Sequence, residues 1–226
     1  MSDIVLYMAP GTCARVPCIL LEEAEVDFQT RVVRFLKGEH KAPAYKALNP
    51  QGKVPALQID GVVLTENPAI IYYLSERYPD ARLLPPAADA KAKASLLADL
   101  SFCASTLHPL VTRIRLPQFF AGPDAARAVW DKACAAMDEY FHLIEARMDK
   151  GPWWYGNDWS ALDAYLYWIF WRVEGAGYDV KRFPGYCSHK QRSETRPAVK
   201  RALEREAQAE AQLANEGLSF TPPPLP

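Results

Sequence analysis

The chain has 226 residues, half of them apolar and 23% charged, with a formal net charge of −1. This suits one large soluble domain or two small ones, and the balanced charge offers nucleic acid or an anionic membrane surface no electrostatic reason to bind. The five cysteines (13, 18, 103, 134 and 187) form an odd set with no CxxC pair, and there is no HExxH motif or Cys/His cluster. They read as reduced thiols, and no metal site is expected.

In chain order, MSDIVLYMAP lacks a basic and long apolar leader, so no signal peptide and a cytoplasmic location are expected. IVLYM, residues 4–8, predicts a strand. A Pro-Gly turn follows, then a helix over 15–25 with its apolar face on Val16, Ile19 and Leu20. Cys13 is therefore expected where a strand gives way to a helix. TRVVRF predicts a second strand, and residues 43–48 a short helix after LKGEHK. In VPALQIDGVVLTE two apolar runs flank Asp60-Gly61, a strong hairpin signal. NPAIIYYLSERYP predicts a helix with Asn67 as its N-cap and Pro68 at the first helical position, ended by Pro79. The order β-α-β-α-β-β-α makes residues 1–80 a compact α/β unit.

PDARLLPP, with three prolines in eight residues, predicts a linker over 81–88. Beyond it helical spacing dominates, and 89–217 reads as an all-helical domain. Residues 89–120 predict a long segment interrupted near Pro109 and Pro117, and 124–150 an amphipathic helix. In NDWSALDAYLYWIFWR, Ser160 and Asp163 stand at capping-box spacing before a helix that is apolar on every side, hence buried and central. Its longest apolar run, broken by Asp163, is too short to cross a bilayer. VKRALEREAQAEAQLANEG predicts the last helix, stopped by Gly217, with 218–226 a Pro-rich surface tail.

PGTC, NPQGKVPAL, LTENPAIIYYLSERYP and the capping box before an apolar helix, taken in this order, resemble the cytosolic glutathione transferases. The resemblance covers nearly the whole chain, is strongest over 1–80, and among classes is greatest to the bacterial beta class, in which PGxC holds a cysteine. It implies a thioredoxin-like domain over 1–80 that binds glutathione as co-substrate, and an all-helical domain over 89–217 that supplies the acceptor pocket. It further implies a cytoplasmic homodimer, a small hydrophobic electrophile or disulfide as the second substrate, and a detoxification role.

Carried over residue by residue, the resemblance implies a cis Val54–Pro55 bond. Val54 would then offer its N–H and C=O to an extended tripeptide as a strand edge does; without the resemblance, Pro55 reads as a plain turn proline. The amides opening the helix at Asn67 would hold the α-carboxylate of a γ-glutamyl group, with Glu66 accepting from its ammonium. The family usually has serine at Asn67. His40, Lys41 and Lys53 would supply positive charge for the glycine carboxylate. His108 matches a beta-class histidine that reaches toward glutathione, or else caps a backbone group at a kink before Pro109. Tyr7, Arg113, Leu116, Phe120 and Trp168 would line the acceptor pocket.

Cys13 ranks first among the catalytic candidates. Helix-terminal amides favour a thiolate, yet a thiolate repels a second thiolate. Ionised Cys13 therefore suits mixed-disulfide exchange, and protonated Cys13 suits donation to the glutathione sulfur. Thr12 is the competing donor, and Tyr7 ranks third. Ala14 stands where the beta class has a serine, and Cys18 reads as core. The expected activity is conjugation or exchange of glutathione. A glutathione-dependent reductase, lyase or dehalogenase is the near alternative, and a non-catalytic binding protein the distant one.

Overall fold

The structure is a computed structural model that describes residues 3–221. It divides into two compact units, one running up to Leu83 and including Thr195–Thr221, the other spanning Leu84–Glu194.

In the first unit, β1 (Val5–Met8), α1 (Arg15–Glu23), β2 (Gln29–Val32), α2 (Pro43–Leu48), β3 (Ala56–Ile59), β4 (Val62–Thr65) and α3 (Asn67–Arg77) follow the anticipated order. The sheet order is β2-β1-β3-β4. β1 and β2 are parallel, with Val5 opposite Gln29, which requires the crossover that α1 provides. β3 runs antiparallel to β1 and to β4, Leu57 facing Leu6 on one side and Leu64 on the other. Because side chains alternate along a strand, Leu6 and Met8 share one buried face, while Tyr7 joins Val33, Tyr45 and Ala56 in a core cluster. β2 is shorter than TRVVRF suggested. The Arg34 N–H is taken by Glu39 Oε2 at 2.8 Å, and a 3-10 turn starts at Phe35.

The last helix, α9 (Pro197–Asn215), clusters with this first unit, whereas the sequence reading grouped it with the helical domain. It packs on α1, and its arginines find their carboxylates there. Arg196 pairs with Glu23 at 2.7 Å, and Arg201 and Arg205 both bind Glu22. Just past the helix, Glu216 receives Arg34 at 2.6 Å.

The second unit holds α4 (Ala90–Ser101), α5 (His108–Arg115), α6 (Gln118–Met148), α7 (Ala161–Glu174) and α8 (Pro184–Thr195). Asp89 caps α4, accepting the Ala92 N–H at 2.8 Å. Between α4 and α5 the chain does not break at Pro109. A π-helical stretch, Phe102–Leu107, widens the ladder just before the proline that cannot donate. Helix α5 does end ahead of Pro117, where Leu116 leaves the helical region at φ −138°. α6 is broken at Ala121 and Gly122, with φ −148° and 72°, and resumes at Pro123.

The run Ala90–Arg115 has 26 residues and reaches a mean hydropathy of 1.2 over an 18-residue window, enough by length and composition to cross a membrane. It is a bundle helix of this unit. Its Asp99 accepts hydrogen bonds from Trp154 Nε1 (3.1 Å) and the Tyr155 hydroxyl (2.8 Å), and α5 packs on α6 and α7. α7 is buried nearly throughout, and the Ser160/Asp163 capping box is formed. Of the expected tail, residues 222–226 lie outside the described residues.

Candidate active site

β1 delivers the chain to a tight loop, Ala9 to Ala14, that ends on the first turn of α1. The loop is closed from within. The Thr12 hydroxyl donates to the Ala9 carbonyl at 2.6 Å, and Arg15 N–H reaches the Thr12 carbonyl at 3.1 Å. Cys13 stands two residues before Arg15, where strand gives way to helix as anticipated. No side chain caps α1.

Two distant segments converge on this cysteine. Its Sγ donates to the Val54 carbonyl at 3.7 Å, and its own carbonyl accepts from Asn67 Nδ2 at 3.1 Å. The Val54–Pro55 bond is cis. The loop before it is anchored by Lys53, whose carbonyl accepts from the Tyr45 hydroxyl (2.7 Å) and Asn49 Nδ2 (2.8 Å). Gly52 is required there. Its φ is +64°, and a Cβ would lie 2.6 Å from the His40 carbonyl oxygen. Lys41 and Lys53 are exposed on these loops.

One expectation shifts. Asn67 is not the N-cap: Glu66 is, at φ 65° and ψ 123°, with no side chain closing the first turn, and Asn67 and Pro68 are the first two helical residues. A non-glycine residue in this region is strained, a feature that clusters at ligand sites. Asn67 is freed to reach Cys13, and its Oδ1 is buried without a hydrogen-bond partner. Burial, and then the positive charges of Lys41 and Lys46, push the His40 pKa below the usual histidine value. Its Nδ1 is buried without a partner, and its ring meets Phe35 edge-on at 4.7 Å.

Residues 2–76 match the family model for the N-terminal domain of glutathione S-transferases, and residues 124–205 that for the C-terminal domain. The chain belongs to the glutathione S-transferase family. It is 35% identical over 165 residues to a maleylpyruvate isomerase from a Ralstonia species, covering 71% of this chain and 76% of the relative. It is 32% identical over 201 residues to a maleylacetoacetate isomerase from Aspergillus fumigatus, covering 85% and 86%. Among solved structures, a sphingomonad glutathione S-transferase complexed with glutathione is similar at TM-score 0.78 and 31% identity, over 90% of this chain and 98% of that one.

In this transferase scaffold the first unit thus gathers Cys13, Val54, Pro55 and Asn67. Thr12 is adjacent, but its proton is committed to Ala9, and its oxygen accepts the Ala14 N–H at 3.4 Å. Tyr7 is 6% exposed, lies edge-on to Tyr45, and its hydroxyl donates to Gln58 Oε1 at 3.3 Å. Cys18 is core, its thiol pushed up to about 12 by burial.

In the second unit the predicted residues form two groups. His108, first residue of α5, places Nδ1 2.8 Å from the Tyr165 hydroxyl and its ring 4.6 Å from Trp168. It therefore has a side-chain partner in Tyr165, and Trp168 is buried. Arg113 donates to the Pro109 carbonyl at 2.9 Å and covers the ring of Phe120, which is exposed, at 4.9 Å. Leu116 is half-buried at the end of α5.

One residue against the thiol loop escaped the sequence reading. Glu206 of α9, 4% exposed, accepts the Gly11 N–H at 2.7 Å and a two-point contact from buried Arg15. A signal existed, because Glu206 falls in register with the buried Val199, Ala202 and Ala209.

Proposed function

We propose that this chain is a glutathione transferase that binds glutathione in its first unit, with Cys13 against the glutathione sulfur. The observation that carries the reading is the meeting of Cys13 Sγ with the Val54 carbonyl and of the Cys13 carbonyl with Asn67. A strand-edge carbonyl, a thiol and an uncapped helix N-terminus in one place suit an extended thiol peptide with an anionic end. In this reading Val54 pairs with the cysteinyl backbone, and the first amides of α3 and Asn67 hold the γ-glutamyl end, with Glu66 accepting from its ammonium. Lys41 and Lys53 face the glycine carboxylate. Neutral His40 contributes a hydrogen-bonding nitrogen in place of a charge.

Protonated Cys13 gives a donor to a glutathione thiolate, which then attacks an electrophile and expels its leaving group. Ionised Cys13 attacks a glutathione mixed disulfide, releases the other thiolate, and is regenerated by a second glutathione with formation of glutathione disulfide. Acceptor binding we assign to His108, Arg113, Leu116 and Phe120 of the second unit, and a homodimer to the working form.

The identity to two isomerases favours a second use of the same site. A glutathione thiolate adds to a cis double bond, the carbon–carbon bond rotates, and glutathione is expelled, so none is consumed. Calorimetric titration with reduced glutathione tests the shared step, and saturable binding at millimolar or better affinity is expected. No heat at two temperatures overturns it. Turnover of an aryl halide, a disulfide and maleylpyruvate then separates conjugation, exchange and isomerisation. Cys13→Ala should abolish exchange while leaving glutathione affinity within a few-fold; loss of binding instead would remove Cys13 from that role.

A further inference from the structure

We infer that Glu206 is a positioning residue for Cys13, acting from α9 through the Gly11 amide and the Arg15 guanidinium. The inference rests on the reading of Cys13 as the reacting sulfur. Gly11 and Arg15 bracket Cys13 by two residues on either side. One carboxylate holds both: Oε1 accepts from Gly11 N–H and Arg15 Nη2, each at 2.7 Å, and Oε2 accepts from Arg15 Nε at 2.9 Å. Asn67 fixes the carbonyl of Cys13 itself. The segment is thus pinned at both ends and at its centre, which leaves the thiol directed onto the Val54 carbonyl.

Packing alone does not account for a carboxylate here. Arg15 and Glu206 are 2% and 4% exposed, and the buried neighbours of Glu206 on its own helix face are Val199, Ala202 and Ala209. Apolar residues of similar volume at such a place are commonly neutral or stabilising relative to a buried ion pair. What an apolar residue cannot do is accept the buried Gly11 N–H. That amide belongs to the only segment joining β1 to α1, so its orientation is passed to the next residues, Thr12 and Cys13. The Arg15 charge is cancelled locally by Glu206. On the facing elements Glu22 of α1 is paired with Arg201 and Arg205 of α9, and Glu23 of α1 with Arg196. The amides opening α1 favour the thiolate only if the loop keeps its geometry.

The test is the pH profile of Cys13 alkylation by iodoacetamide, followed on the Cys13 peptide by mass spectrometry. Two double variants are compared with the wild-type chain: Arg15→Met/Glu206→Gln, and Arg15→Met/Glu206→Leu. Both remove the buried charges, so neither leaves one uncompensated, and they differ in whether Gly11 has an acceptor. The glutamine variant should keep the wild-type midpoint, and the leucine variant should raise it by about half a pH unit or more, as a loosened loop withdraws helix-terminal amides from the thiolate. Glu206→Asp keeps the charge but draws the acceptor back by one methylene. It should shift the midpoint in the same direction by less, and it serves if the leucine variant does not fold. Identical profiles in all folded variants would overturn the inference and leave Glu206 as a fastening of α9 to α1. Iodoacetamide needs no glutathione. Failure of the wild-type chain to bind glutathione would strike the proposed function and leave this comparison standing.

Discussion

Two carboxylates, one in each unit, are almost completely withdrawn from solvent, and they are used in related ways. Asp163, 0% exposed at the start of α7, accepts the Trp154 and Ser160 amides at 2.8 Å each. It also accepts the Ser160 hydroxyl at 3.1 Å and lies 3.0 Å from His189 Nε2. Glu206 accepts one amide, Gly11, and the fork of Arg15. In both, a buried acceptor ties a loop to a helix. The difference is electrostatic. Asp163 sits at a helix N-terminus, where dipole and amides already favour a negative charge, and it needs no permanent cation. Glu206 sits in the middle of α9 with no such help, and Arg15 is its required counter-charge. The first tie organises a hydrophobic bundle. The second organises a thiol.

The comparison breaks hardest at Asp163. Asp163→Ala strands two buried amides, the Ser160 hydroxyl and His189 at once, and should destabilise the chain by about 4–6 kcal/mol or prevent folding. Asp163→Asn keeps one acceptor oxygen and should lose markedly less. Denaturant unfolding of the two variants measures this; an alanine variant within about 1 kcal/mol of wild type would mean that water takes over the vacated positions.

Glu206→Ala is expected next in size, at about 3–5 kcal/mol, because it leaves a buried guanidinium without its counter-charge. Removing both partners in Arg15→Met/Glu206→Leu should restore most of that loss, since the unpaired charge is gone. Unfolding midpoints of the single and double variants decide it. If the double variant is as unstable as the single one, the cost lies in the Gly11 amide and not in the ion pair, and the contrast with Asp163 breaks.

The same contrast explains what the sequence disclosed. Ser160 and Asp163 stand three residues apart, a local spacing that announces a cap, and the Asp60-Gly61 hairpin is equally local; both formed as read. Cys13, Val54 and Asn67 were found through motif resemblance, because no local pattern joins residues 41 and 54 positions apart. Glu206 and Arg15, 191 positions apart, carried no motif at all. Helix α8 went unread for another reason. Its buried stripe is Tyr186, His189 and Ser193, so the helical period is written in polar residues and apolar periodicity is blind to it. Asn67 was placed correctly in the chain but given the wrong local state, since a one-residue shift of the helix start is a tertiary outcome.

A third carboxylate, just beyond the C-terminal end of α9, tests whether burial is what sets these ties apart. Glu216 receives Arg34 at 2.6 Å, but the two side chains are 26% and 28% exposed. The hydrogen bond from Arg34 holds the Glu216 carboxyl at about 2, against an ordinary 4.5. With the folded value depressed, the contribution of this pair is present above the ordinary carboxylate range and is lost as pH falls toward 2. Water and salt screen a pair this exposed, so the advantage of wild type over Glu216→Gln should be the smallest of the three at neutral pH. It should shrink in molar salt and vanish at the acid end, whereas the penalty of Glu206→Ala should hardly respond to salt. Thermal melts of both variants at low and high salt make the comparison. An equal response would show that the Arg15–Glu206 pair is reached by solvent and that no buried charge holds the Cys13 loop.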